Sequence, residues 1–204
     1  MNPLNSVRGV ITGGIVLAVV LAVIVSYLTV GIDLRVPSLI IWIHVLAGIT
    51  WIGLLYYFNF VQVPALAEAA ADEGGPGGAG ITKYVAPRAL WWFRWGAVLT
   101  WLSGAAYLGH AERLHHAFAL GMLEGSIATD TFIGVGAWLG TIMLFNVWAL
   151  IWPNQKKILG IVEATADEIA AARKVAFVAS RANTLLSIPM LMSMVSYGHG
   201  GFFI

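Results

Sequence analysis

The sequence predicts an all-α integral membrane protein, a bundle of five transmembrane helices with a cytoplasmic N-terminus and a periplasmic C-terminus. Three observations predict it. Of the 204 residues, 59% are hydrophobic and 10% charged, with a mean hydropathy of +0.84, whereas an ordinary soluble domain carries roughly 25% charged residues. Five runs reach the roughly 20 mainly apolar residues that a helix needs to cross the hydrocarbon core. The Lys and Arg residues between those runs fall very unequally on the two sides, which orients the set. The net charge of +1 and the lack of a basic stripe give no electrostatic case for a nucleic-acid partner. With 0 Cys there is no disulfide, thiolate metal site, iron–sulfur cluster or covalent haem attachment.

The first span, residues 10–32, is uncharged. It exceeds the roughly 7 to 15 apolar residues of a signal peptide, and no small-residue cleavage site follows at Gly31-Ile32-Asp33-Leu34, so a retained helix is expected. The second, residues 36–63, is uncharged apart from His44. Residues 64–87 contain Glu73-Gly74-Gly75-Pro76-Gly77-Gly78-Ala79-Gly80, where a regular helix is costly, and are expected to form a flexible cytoplasmic loop. The third span, residues 89–109, is interrupted only by Arg94 and is rich in Trp, Leu and Ala. The fourth, residues 131–152, carries Asn146 as its one strongly polar group, and Pro153 is expected to end it. The fifth, residues 175–197, carries the single charge of Arg181; Thr165 and Glu168 have capping-box spacing for a helix that starts well before the bilayer. The whole chain, residues 1–204, reads as a single membrane domain.

With the N-terminus inside, Arg8, Lys83, Arg88, Arg94, Lys156, Lys157, Arg173, Lys174 and Arg181 fall on the cytoplasmic side, and only Arg35 and Arg113 outside. Small residues share a face of the first helix at Gly14, Ala18 and Ala22, and of the fourth at Gly136 and Gly140, where helices can approach closely. Trp42, Trp91, Trp92, Trp148 and Trp152 lie near span ends, where amphipathic rings favour the interface.

The five histidines gather on the outer side. His44 enters the second helix from outside, His110 closes the third, His115 and His116 follow it, and His199 ends the fifth. His44 is the informative one, since it lies in an apolar run about eight residues past Val36, or ~12 Å along the helix. Polar groups at that depth are costly without a partner and often mark function. Neutral imidazole is a good ligand for haem iron, and facing helices can supply two ligands at one depth, so His44 with His110 or His199 is a candidate pair for a b-type haem. The plain alternative is a hydrogen-bonded core histidine with its companions solvated. A second polar layer lies in the cytoplasmic half: Asn59, Gln62, Arg94, Asn146, Arg181 and Asn183. Arg94 and Arg181 are candidates to clamp an anion, a haem propionate or a quinone carbonyl; the alternative is that both snorkel to the interface. No Ser-His-Asp set, phosphate loop or pair of carboxylates in a span appears, which disfavours hydrolysis and nucleotide chemistry.

The run Trp42-Ile43-His44-Val45-Leu46-Ala47-Gly48-Ile49-Thr50-Trp51-Ile52-Gly53-Leu54-Leu55-Tyr56-Tyr57-Phe58-Asn59, with Trp152-Pro153-Asn154-Gln155-Lys156-Lys157 and Arg181-Ala182-Asn183-Thr184, resembles the membrane domain of the cytochrome-c-linked bacterial urate oxidases over residues 38–199. The resemblance implies a His-containing bundle like those that hold haem b, in a bacterial inner membrane, followed in that family by a periplasmic cytochrome c domain. Here only Gly200 to Ile204 follow the last helix, so electrons are expected to pass to a separate cytochrome c or a larger membrane complex. The leading expectation is a membrane redox protein with haem b near the periplasmic face. Its rival is a non-catalytic accessory or assembly subunit of a respiratory or photosynthetic complex. A transporter is weaker, since no span carries an acid to couple ion movement.

Overall fold

A computed structural model describes residues 2–201, whose secondary structure is helical, with no strand among the described residues. Six helices carry the architecture: α1 (Val7–Thr29), α2 (Val36–Ala71), α3 (Ala86–His110), α4 (Leu114–Phe118), α5 (Ala128–Ile158) and α6 (Ala166–His199). Four of them, α1, α2, α5 and α6, are long and apolar enough to cross a membrane. The protein is thus a multi-pass membrane protein whose apolar surface belongs in a lipid bilayer. The other expected span is α3, whose 25 residues are of sufficient length but include Arg88, Arg94 and four Trp, which lower its hydropathy.

Two compact units divide the chain, Met1–Val36 and Pro37–Ile204. In the first, the Ser6 hydroxyl accepts the Gly9 N–H at 3.0 Å and caps α1, and the helix ends ahead of Gly31, whose φ of +86° suits only glycine well. In the second, α2, α3, α5 and α6 run alternately up and down and close into a ring. Phe58 on α2 meets Phe93 on α3 edge to face at 5.5 Å. Trp101 on α3 donates its indole N–H to the Thr141 hydroxyl on α5 at 2.8 Å. Asn146 on α5 donates to Asn183 on α6 at 2.8 Å, and Tyr56 on α2 shares a 2.9 Å hydrogen bond with Ser187 on α6. Trp51, Leu55, Phe93, Met143 and Val147 fill the centre. One end of this bundle carries His110 and His199 and is the histidine end; the other, next to the Gly-rich segment, is the loop end.

Three π turns among the described residues interrupt the α-helical hydrogen bonding, at Tyr57–Gln62, Ile81–Val85 and Asn146–Ile151. Each has a proline two residues beyond it: Pro64, Pro87 and Pro153. A proline ring collides with the carbonyl four residues back and offers no N–H, and widening the preceding turn to an i→i−5 pattern relieves both problems. This corrects the expectation that Pro153 ends the fourth span: α5 absorbs it and continues to Ile158. Likewise α2 runs past Pro64 through Leu66-Ala67-Glu68-Ala69-Ala70-Ala71, a stretch of strong helix formers. The loop expected over residues 64–87 contracts to a connection at 72–78. The expected cap of the last helix is present, with the Glu168 carboxylate accepting the Thr165 N–H at 2.9 Å and the Thr165 hydroxyl accepting the Glu168 N–H at 3.3 Å. Of the two glycines expected to form a close-approach face on α5, Gly136 does so, since a Cβ there would lie 3.2 Å from the Ser193 Cβ of α6. Gly140 has nothing within 4 Å and borders open space instead.

Candidate functional site

That open space is a cavity of about 740 Å³ among α2, α3, α5 and α6, running inward from the histidine end. Its size lies within the range of roughly 300 to 1,000 Å³ usual for ligand sites. Small residues on three helices, Gly48 and Gly53 on α2, Gly104 on α3 and Gly140 on α5, leave the volume unfilled. Polar and aromatic groups reach it from several sides: His44, Trp51, Tyr56, Tyr107 and His199.

His44 is half-buried and fixed by α3. Its Nδ1 lies 2.8 Å from the Thr100 carbonyl oxygen, with the Ser103 hydroxyl at 3.4 Å. A carbonyl only accepts, so Nδ1 carries the proton and donates. Nε2 is then the unprotonated nitrogen with its lone pair free, and it has no protein hydrogen-bond partner among the described residues. The ring packs close to the backbone of α3 because residue 104 is glycine: a Cβ there would stand 2.9 Å from His44 Cε1 and 3.1 Å from Nδ1. Gly104→Ala is therefore expected to swing the imidazole off Thr100. Histidine NMR of the labelled protein should show the His44 Nδ1–H signal lost or shifted, while an unchanged signal would mean the contact does not hold the ring.

Two of the three expected ligand candidates, His44 and His199, line the same cavity. His199 is the last residue of α6, which Gly200 ends with a left-handed φ of +82°, and it lines the same cavity as His44. His110, the last residue of α3, is exposed and is not in that lining. His115 and His116 stand in α4 with their rings 4.2 Å apart, and His116 shares a 2.8 Å hydrogen bond with Ser126. Desolvation, then the positive charges of Arg113 and His115, hold the His116 pKa below its ordinary value. No cluster of three or more His, Cys, Asp or Glu residues suited to a bare metal ion occurs among the described residues.

Trp51 and the Arg113–Asp130 pair do not stand out in the sequence. The Trp51 indole N–H is buried, has no partner and belongs to a cavity-lining residue, so it is a donor awaiting an acceptor. Asp130 is fully buried, grips the Arg113 guanidinium with two oxygens, and accepts the Ile127 N–H at 2.7 Å. This joins the segment after α3 to the head of α5, and the Asp130 hydrogen bond raises the Arg113 pKa above its ordinary value. An acid in the first turn of a helix was the only sequence signal for it.

The second polar layer is divided rather than gathered. Arg94 is buried, with its guanidinium carbon 3.3 Å from the Trp152 ring centre and 5.8 Å from that of Trp148, and its Nε has no hydrogen-bond partner. Arg181 is exposed, 5.2 Å over the Phe177 ring. Asn59 donates both amide hydrogens, to the Leu55 carbonyl and the Ser180 hydroxyl, each at 2.8 Å. Asn183 donates to the Met143 carbonyl at 3.0 Å while accepting from Asn146. These amides are structural bonds between helices.

Residues 113–203 match the family described as urate oxidase N-terminal. The match runs from Arg113 past the end of α6 and bears out the resemblance to a membrane domain of the urate oxidase type over that part of the chain. It does not extend over α2 and α3, which carry His44 and its partner carbonyl. No curated protein and no solved structure matches the chain.

Proposed function

We propose that the protein is a membrane redox protein of the urate oxidase type that holds one b-type haem in the cavity at the histidine end and passes electrons to a separate partner, a cytochrome c or a larger membrane complex. The observation that carries this is the setting of His44: Nδ1 is committed to the Thr100 carbonyl, and the free Nε2 belongs to a residue lining a 740 Å³ cavity that His199 also lines. A histidine that donates its other N–H to a carbonyl is the arrangement that orients an imidazole and raises its basicity toward a metal. The residues present suit the group in size, in apolar walls and in the unpartnered Trp51 N–H. His44 and His199 would hold the iron, and haem there supplies reversible one-electron transfer. Thr100 keeps the His44 proton on Nδ1, Gly104 gives the ring its place, and the apolar side chains exclude water. His110 and Arg181 take no part in this arrangement, and Arg94 lies outside the lining of the cavity.

An absorption spectrum of the purified protein, oxidised and dithionite-reduced, together with a pyridine haemochrome assay, is expected to show one haem b per chain. Wholly colourless protein from cells with haem synthesis intact would overturn the proposal in favour of the accessory subunit.

We place the protein in a bacterial inner membrane with α3 as a fifth span, the N-terminus inside and the histidine end in the periplasm. The strongest support is that nine of the eleven Lys and Arg fall on one side under this arrangement. Because the chain has 0 Cys, single cysteines placed at Gly77 and Gly201 report cleanly: a membrane-impermeant thiol reagent added from the periplasm should label only the second. Labelling of both, or of the first alone, would rule out this topology.

A further inference from the structure

The loop end of the bundle contains a second cavity, of about 680 Å³, which the haem site does not use. It lies between the π turn of α2, the start of α3, the end of α5 and the first turns of α6. Phe58, Leu66, Leu90, Phe93 and Ile151 make its walls apolar. Against that background three polar features stand out. Gln62 lines the cavity and is 8% exposed, and its side-chain oxygen is buried without any hydrogen-bond partner. Such a group calls for a donor that the protein does not supply. Arg173 and Lys174 also line the cavity, and neither takes part in an ion pair among the described residues, where the pairs are Arg113–Asp130 and Lys157–Glu168. No Asp or Glu is in the lining, so its formal charge is positive.

The vertical spacing of these groups constrains the ligand. Asn59 bonds to Ser180, and Gln62 lies three residues nearer the loop end, which sets it about level with residues 176–177 of α6. Arg173 is then only three or four residues, roughly 5 Å, further out. A ligand that satisfies both levels carries an anion at one point and a hydrogen-bond donor a few ångströms away, with an apolar body to fill the walls.

We propose that this cavity is a binding site for an anionic lipid with a hydroxyl-bearing headgroup, of the phosphoglycerol class. Its phosphate faces Arg173 and Lys174, a glycerol hydroxyl donates to the Gln62 oxygen, and an acyl chain lies along Phe58 and Phe93. The bilayer in which the helices stand supplies such a ligand directly. The site is independent of whether haem binds at the other end.

Native mass spectrometry of the full chain, in a detergent that preserves bound lipid, tests this with three probes: phosphatidylglycerol, phosphatidic acid, which has the phosphate without the glycerol hydroxyls, and phosphatidylcholine. Phosphatidylglycerol is expected to saturate one site more tightly than phosphatidic acid, with phosphatidylcholine weakest. Replacing Arg173 and Lys174 together by Gln should weaken both anionic lipids about 30-fold, from roughly 1 kcal/mol per basic residue near a lipid surface. Gln62→Leu should remove the preference for phosphatidylglycerol and leave phosphatidic acid unchanged. A preference that survives Gln62→Leu, or full phosphatidylglycerol binding by the double variant, overturns the assignment. So does sn-glycerol 3-phosphate displacing the lipid at equal concentration, which would make the site one for the free headgroup. If Gln62→Leu does not fold, Leu66→Trp, which fills the wall, is expected to abolish binding of both anionic lipids, and retained binding would be equally decisive against it.

Discussion

Replacing His44 with Ala is expected to abolish the haem spectrum of the purified protein or change it beyond recognition. In the proposed site His44 is the ligand whose ring is held by a neighbouring helix: the Thr100 carbonyl holds Nδ1 at 2.8 Å, and Gly104 leaves room for the ring against α3. Loss of an outer hydrogen-bond partner alone typically lowers metal affinity about 10- to 100-fold, so loss of the ligand itself should exceed that. His199→Ala should leave haem held from one side, with altered spectrum and weaker retention. His110→Ala and His115→Ala are the controls, since both side chains are exposed and neither lines the cavity. A different outcome separates the alternatives. If His44 is only a hydrogen-bonded core residue, its removal costs about the 1 to 3 kcal/mol of an unpaired buried group and leaves any cofactor in place. Folded His44→Ala protein with full haem content and an unchanged spectrum would defeat the ligand assignment.

The second large effect is expected at Asn183, which is fully buried at the contact of α5 with α6. Its amide donates to the Met143 carbonyl and accepts from Asn146, so one side chain joins the α-helical part of α5 to its π turn. Asn183→Leu keeps the branching and the number of side-chain heavy atoms but strands the Asn146 N–H next to a hydrocarbon group. The expected loss is about 1 to 3 kcal/mol, toward the lower figure because polar partners in a bilayer average nearer 0.6 kcal/mol. The pair Asn146→Leu with Asn183→Leu should lose clearly less than the sum of the single losses, because neither partner is then left unpaired. Unfolding of the four proteins in mixed micelles measures this, and strictly additive losses would mean that the Asn146–Asn183 bond contributes nothing.

Hydropathy and cap spacing are properties of short segments, and they determined a great deal by themselves. The apolar runs at residues 36–63, 131–152 and 175–197 lie within helices of spanning length, the run at 10–32 overlaps one that ends at Thr29, and Thr165 with Glu168 marked the start of α6. The collection of every histidine toward one end also comes from counting residues along alternating helices. The course of the chain beyond each proline was not legible in this way. Pro64 and Pro153 read as boundaries, yet both helices continue, because a widened turn relieves the clash at less cost than leaving backbone groups unpaired within an apolar bundle. The candidate pair of ligands was equally undetermined. His110 and His199 stand at similar height in the sequence, and only the order of helices around the ring and the rotation of each about its axis bring His199, rather than His110, to the cavity that His44 lines. The polar layer shows the same division, with Arg94 turned inward onto Trp152 and Arg181 turned outward over Phe177. Rotation about a helix axis is set by which side chains interlock between neighbouring helices, here Gly104 against His44 and Gly136 against Ser193. Those contacts join residues on different helices, and no periodicity within one helix encodes them.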